Sequence, residues 1–139
     1  MSALGRARDA AVWFGIGRGV SVLAFLLGRR SKKDEWLRRA MADFDSVIRF
    51  QNGDGSRGCC IVFERGRARA LASPPRPPDF TLTLYHPERL RFKGPEAAVD
   101  VMITNSIGQV GNLYHLYRFG FIASLLARRA RSLSDEVYD

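Results

Sequence analysis

Apolar residues dominate the chain from position 11 to 27 (AVWFGIGRGVSVLAFLL). On a helix, Trp13, Ile16, Val20, Leu23 and Leu27 fall at alternating spacings of three and four and form one stripe. Arg18, Val22, Phe25 and Arg29 fall on the other side, so the back of the helix is mixed rather than polar. Gly15, Gly17 and Gly19 each weaken a helix by about 1 kcal/mol relative to Ala, and small residues at that density predict close packing or a break. A basic cluster follows, and Ser31 with Asp34 three residues on gives a capping-box start for a second helix over SKKDEWLRRAMADF.

The period then changes from helical to alternating. Ser46–Gln51 sets Ile48 and Phe50 against Val47 and Arg49, the pattern of a half-buried strand. Asn52-Gly53-Asp54-Gly55 is turn chemistry and joins this strand to a second, Gly58–Glu64. Arg65-Gly66 turns again into Arg67–Leu71, which completes a three-strand meander. Ser73–Pro78 (SPPRPP) reads as an extended loop, because proline donates nothing to a ladder. Asp79–Tyr85 is the clearest strand, with Phe80, Leu82 and Leu84 on one face and Thr81, Thr83 and Tyr85 on the other. Beyond it the pattern predicts a short turn at 86–92, a helix from Glu96 to about Thr104 and a strand within 107–112. A last helix from Leu113 to Arg131 and a mobile acidic tail, SLSDEVYD, close the chain.

An apolar share of 46% with 26% charged residues excludes wholesale disorder, and 139 residues suffice for one domain with a real core. The net charge of +8 points to an anionic partner: nucleic acid, an acidic protein or a phospholipid surface. More than half of that excess lies in residues 1–44, beside the most apolar helix. Two adjacent cysteines, Cys59 and Cys60, offer neither ligand spacing for zinc nor an unstrained mutual bridge. They read as small core thiols in a reducing compartment. Arg18 interrupts the apolar run and no small-residue cleavage site follows it, which argues against a secretory signal or a spanning helix. The expected location is cytoplasmic, with peripheral attachment to the inner membrane surface as an extension.

Chemistry-bearing motifs are scarce. The string Gly15-Ile16-Gly17-Arg18-Gly19 lacks the third glycine of a dinucleotide fingerprint, since position 20 is Val20. No nucleophile elbow, paired metal-binding histidines or P-loop occurs, so neither catalytic nor metal-ligating residues are assigned and no cofactor is expected. Arg65, Arg67 and Arg69 share one strand face, where charge protects a sheet edge as readily as it meets nucleic acid. A nucleic-acid role is therefore the weakest reading. The stripe Trp13, Ile16, Val20, Leu23 and Leu27, with Arg29, Arg30, Lys32 and Lys33 at its end, is a candidate docking element. It suits an anionic membrane surface or a protein partner met through residues 1–40, including a second copy in a homodimer. Packing on its own domain accounts for the stripe equally well.

From Asp45 to about Ala127 the order of elements resembles the sterol carrier protein domain, the non-specific lipid-transfer family. Two stretches carry the likeness: Pro78-Asp79-Phe80-Thr81-Leu82-Thr83-Leu84, and Val110-Gly111-Asn112 leading into an apolar helix. The first 44 residues have no counterpart in the family pattern. The resemblance implies an α+β fold, a mostly antiparallel five-stranded sheet covered on one face by helices, here with an extra N-terminal amphipathic helix. Three segments follow: 1–44 apolar and basic, 45–131 the sterol-carrier-like domain, and 132–139 the acidic tail. It also implies a tunnel between sheet and helices for a fatty acyl chain, sterol or similar ligand, lined by Ile61, Phe63, Phe80, Leu82, Leu84, Val101, Met102, Leu116 and Phe121. Function would then be non-enzymatic lipid binding or transfer. The alternative is an interaction subunit whose core is closed and which assembles through the N-terminal helix.

Overall fold

A computed structural model describes residues 2–85, 87 and 106–138, with side chains for 2–85, 87 and 109–126. The elements in order are α1 (Ala3–Ser31), α2 (Glu35–Ala42), β1 (Ser46–Gln51), β2 (Gly58–Glu64), β3 (Arg67–Leu71), β4 (Phe80–Leu84), β5 (Ser106–Gly111) and α3 (Leu113–Tyr138). The turn at 86–92, apart from residue 87, and the helix at 96–104 expected from the sequence lie outside the described residues.

α1 is one unbroken helix of 29 residues, starting from Ser2, whose hydroxyl accepts the Gly5 N–H. No close packing requires Gly15 or Gly17, because a Cβ at either would meet open space. By length and hydropathy α1 meets the measure of a membrane-crossing helix. One stripe of it is nevertheless core: Trp13, Ile16, Val20, Ala24 and Leu27 are buried, and α1 packs on β3 and β2. α2 begins three residues later than the capping-box pattern predicts. Ser31 closes α1 by donating to the Gly28 carbonyl, while Asp34 caps α2 by accepting from Trp36 and Leu37. An ionised carboxylate at a helix N-terminus also meets the positive end of the helix dipole.

The sheet order is β3-β2-β1-β4-β5. All neighbours are antiparallel except β1 and β4, which run parallel with Ile48 opposite Phe80 and Phe50 opposite Leu82. Loop 72–79 therefore crosses β2 and β1 to bring the chain from one edge to the other side of β1. Asp79 ends that crossing. Its N–H donates to the Val47 carbonyl, its carboxylate accepts the Val47 N–H, and Arg76 pairs with it at 2.8 Å. The β2–β3 hairpin turns on Arg65 and Gly66, both at positive φ (53° and 73°), the backbone pattern that matches strand twist in a two-residue loop. α3 continues to Tyr138, so Asp135 and Glu136 prolong the helix instead of lying in a separate tail. The sequence there, SLSDEVY, holds no Gly or Pro to stop it.

Candidate lipid-binding site

Register fixes which side chains share the inner face of the sheet. Ile48 and Phe50 on β1 stand beside Ile61 and Cys59 on β2 and beside Phe80 and Leu82 on β4. With Phe63 and Leu84 these are all buried, and they join residues of all three helices in one apolar cluster. α3 covers this face through Leu116, Phe119, Ile122, Ala123 and Leu126, spaced by three and four and all buried. Aromatic rings bridge the layers: Phe44 to Phe63 with centroids 5.0 Å apart, Phe63 to Phe119 at 5.9 Å and Phe50 to Phe119 at 6.2 Å.

Polar contacts hold α3 over the sheet. Arg118 donates to the Ala40 carbonyl at 2.7 Å and pairs with Asp43 at 2.8 Å, while its guanidinium lies 5.5 Å from the centre of the Phe44 ring. His115 Nδ1 and the Ser46 hydroxyl are 2.8 Å apart, tying the start of α3 to the start of β1. A serine bonded to a histidine invites a nucleophilic reading, but Ser46 is wholly buried beneath the first turn of α3. Contact with solvent is denied to that oxygen, and the bond satisfies a buried hydroxyl.

Of the residues expected to line a lipid site, Ile61, Phe63, Phe80, Leu82, Leu84 and Leu116 converge on the inner face. Phe121 does not: it is half-exposed, two positions from the inward Phe119 and therefore on the outer side of α3. Val101 and Met102 lie outside the described residues. Phe44, Phe119 and Ile122 were not among the expected lining residues; the spacing 116-119-122-126 marks the last two, whereas Phe44 follows α2 without any periodic signal.

The proposed docking stripe has a different place from the one a docking role needs. Trp13, Ile16, Val20 and Leu27 are buried on the chain's own sheet and Leu23 is partly buried against the same cluster, because β2, β3 and α2 cover that side of α1. Arg29, Lys32 and Lys33 are exposed and Arg30 is half-buried. The two cysteines fit the core reading. Burial, with Cys60 adjacent, pushes the Cys59 thiol up to about 12, and burial raises Cys60 against the opposing charge of Arg49. Neither is a ready thiolate near neutrality.

Among solved structures, a ubiquinone synthesis protein described as UbiJ-SCP2 superposes with a TM-score of 0.55 at 16% identity, covering 81% of this chain and 91% of that one. The chain has the sterol carrier fold. A conserved hypothetical protein of Thermus thermophilus, TT1886, offered as a candidate sterol carrier protein, matches with a TM-score of 0.45 at 13% identity over 81% of this chain and 84% of its own. The inverting sec-alkylsulfatase Pisa1 of a Pseudomonas species aligns over 61% of this chain and 14% of that enzyme, at 13% identity and a TM-score of 0.45. Comparison of the sequence with protein-family models and with curated proteins finds no match.

Proposed function

We propose that this protein binds an apolar lipid between the inner face of its sheet and the helices above it, and carries that lipid without transforming it. The observation that bears most weight is the continuous apolar face Ile48, Phe50, Ile61, Phe63, Phe80, Leu82 and Leu84 on a sterol carrier fold. Each methylene that leaves water for such a face contributes about 0.8 kcal/mol. A fatty acyl chain, a sterol or an isoprenoid fits this chemistry. The similar structure is a ubiquinone synthesis protein, and ubiquinone is itself an isoprenoid lipid. No cofactor enters this mechanism. A cytoplasmic carrier with peripheral attachment to a membrane is consistent with the excess of basic groups.

The test is direct. Denaturing extraction of the purified protein followed by mass spectrometry should recover apolar lipid at close to one molecule per chain. Extracts free of lipid, together with no uptake of a fluorescent fatty acid, would remove the carrier reading. The interlocked rings of Phe44, Phe50, Phe63 and Phe119 favour one other reading, a closed core in a protein that serves as an interaction subunit. That reading predicts the lipid-free result and a partner recovered with the chain.

A further inference from the structure

The side of α1 away from the core is neither polar nor covered. Phe14, Arg18, Val22, Phe25 and Arg29 recur at spacings of four and three, and Leu4 lies on the same side. Leu4, Phe14 and Phe25 are 82%, 72% and 63% exposed. At its C-terminal end this face runs into an open groove of about 1360 Å³ between α1, α2 and the β2–β3 turn, and Phe25 belongs to both. Arg29, Lys32, Arg38, Arg65 and Arg67 line the groove, and among the described residues no acidic one lines it and none of the five has an ion pair.

We propose that the uncovered face of α1 and this cationic groove form one docking surface for an anionic phospholipid bilayer, with Phe14 and Phe25 entering the headgroup boundary and the groove cations meeting lipid phosphates. Charge decides the occupant. Five like charges around one groove repel each other unless an anion sits among them. A second copy of this chain would set Arg18, Arg29 and the groove cations against a surface of the same sign. A nucleic acid would occupy the groove but leave Leu4, Phe14 and Val22 facing water. Because the opposite stripe of α1 is fixed on the sheet, the helix meets the bilayer lengthwise, as interfacial amphipathic helices do. The surface deepens the carrier reading by naming where lipid is collected and delivered, but it does not depend on an occupied interior.

Flotation of the full chain with vesicles tests it. Vesicles of phosphatidylcholine with phosphatidylglycerol should carry the protein, and vesicles of phosphatidylcholine alone should not. Phe14→Ser with Phe25→Ser, and separately Arg29→Gln with Arg38→Gln, should each lower the partition onto anionic vesicles by about tenfold or more. The charge-matched pair Arg6→Gln with Arg69→Gln, away from the stripe and the groove, should leave it unchanged. All six positions are exposed, and thermal melts followed by circular dichroism confirm that each variant folds. Equal flotation with neutral vesicles, no flotation at all, or an equal loss in the control pair overturns the proposal. So does a concentration-dependent dimer abolished by the Phe14 and Phe25 changes, or release from anionic vesicles by single-stranded RNA at matched salt. Fatty acid uptake measured without vesicles reads the interior separately, so docking without uptake removes the carrier reading alone, and uptake without docking removes this one alone.

Discussion

Gly111 stands opposite Phe80 where β5 ends, at φ +127°. A Cβ there would overlap the Asp79 carbonyl oxygen and crowd the Phe80 Cα. Both the backbone conformation and the available space therefore demand glycine, which supplies the physical reason for the Val110-Gly111-Asn112 stretch that likened this chain to a lipid-transfer family. Gly111→Ala should cost about 2–3 kcal/mol or more, since a strained backbone position alone costs roughly 1–3 kcal/mol and the overlap adds to it. Urea denaturation of the wild type and the variant measures the difference. A loss below about 0.5 kcal/mol, the range of ordinary surface substitutions, would show that the strand shifts to make room. Asp79, on the other side of that contact, carries an acid dependence. Burial acts to raise its pKa, but the Arg76 hydrogen bond, the Val47 N–H and the Arg76 charge outweigh it and hold the carboxyl below its ordinary value. Its ionised form thus stabilises the fold at neutral pH, and that contribution is lost as pH falls below about 4. Asp79→Asn should lower stability near neutrality and flatten the fall between about pH 5 and pH 2, as read from melts across that range.

At the scale of elements, α1 carries a helix penalty that its packing does not require. Gly15 and Gly17 face open space, so Gly15→Ala and Gly17→Ala should each stabilise by up to about 1 kcal/mol. Thermal melts should show midpoints raised by a few degrees, and a drop instead would mean that the two positions are packed in solution, against another part of the chain or a second copy of it. The strands were legible in the sequence because their alternation names a face directly: Ile61, Phe63, Phe80, Leu82 and Leu84 are inward by period, and register only brings them together. The sidedness of α1 was not legible. Trp13, Ile16, Val20 and Leu27 form one apolar stripe while Phe14, Val22 and Phe25 form another, and a helix that is apolar on both sides does not state which side its own sheet takes. On α3 the period was present, but Phe121 sits off the 116-119-122-126 row, so apolar character alone misplaces it. The first cap of α2 failed for a local reason, since Ser31 and Asp34 both satisfy the N-cap preference and only the length of α1 decides between them.

For the molecule as a whole, the question is whether the first third is an attachment or part of the body. The core cluster runs without a break from α1 through the sheet to α3, and Arg57 pairs with Asp9 at 3.0 Å to bind the first turns of α1 to the β1–β2 hairpin. Trp13, Ile16, Val20 and Leu27 are each at least nine-tenths buried. At about 1.5–3 kcal/mol for each such side chain, their burial is worth roughly 6–12 kcal/mol, which is comparable to the entire net stability of about 5–15 kcal/mol for a domain. Removing residues 2–31 also bares the inner side of β2 and β3, where Ile61 and Phe63 would meet water in place of α1. The truncated chain should therefore fail to fold cooperatively: its urea transition should be broad or absent, and it should bind a hydrophobic dye and aggregate. A truncation that melts in one sharp transition would mean that the remaining elements close their own core and that α1 is an appendage. Membrane docking is consequently a matter for point substitutions on the outer face of α1, because deletion of the helix reports on the core instead.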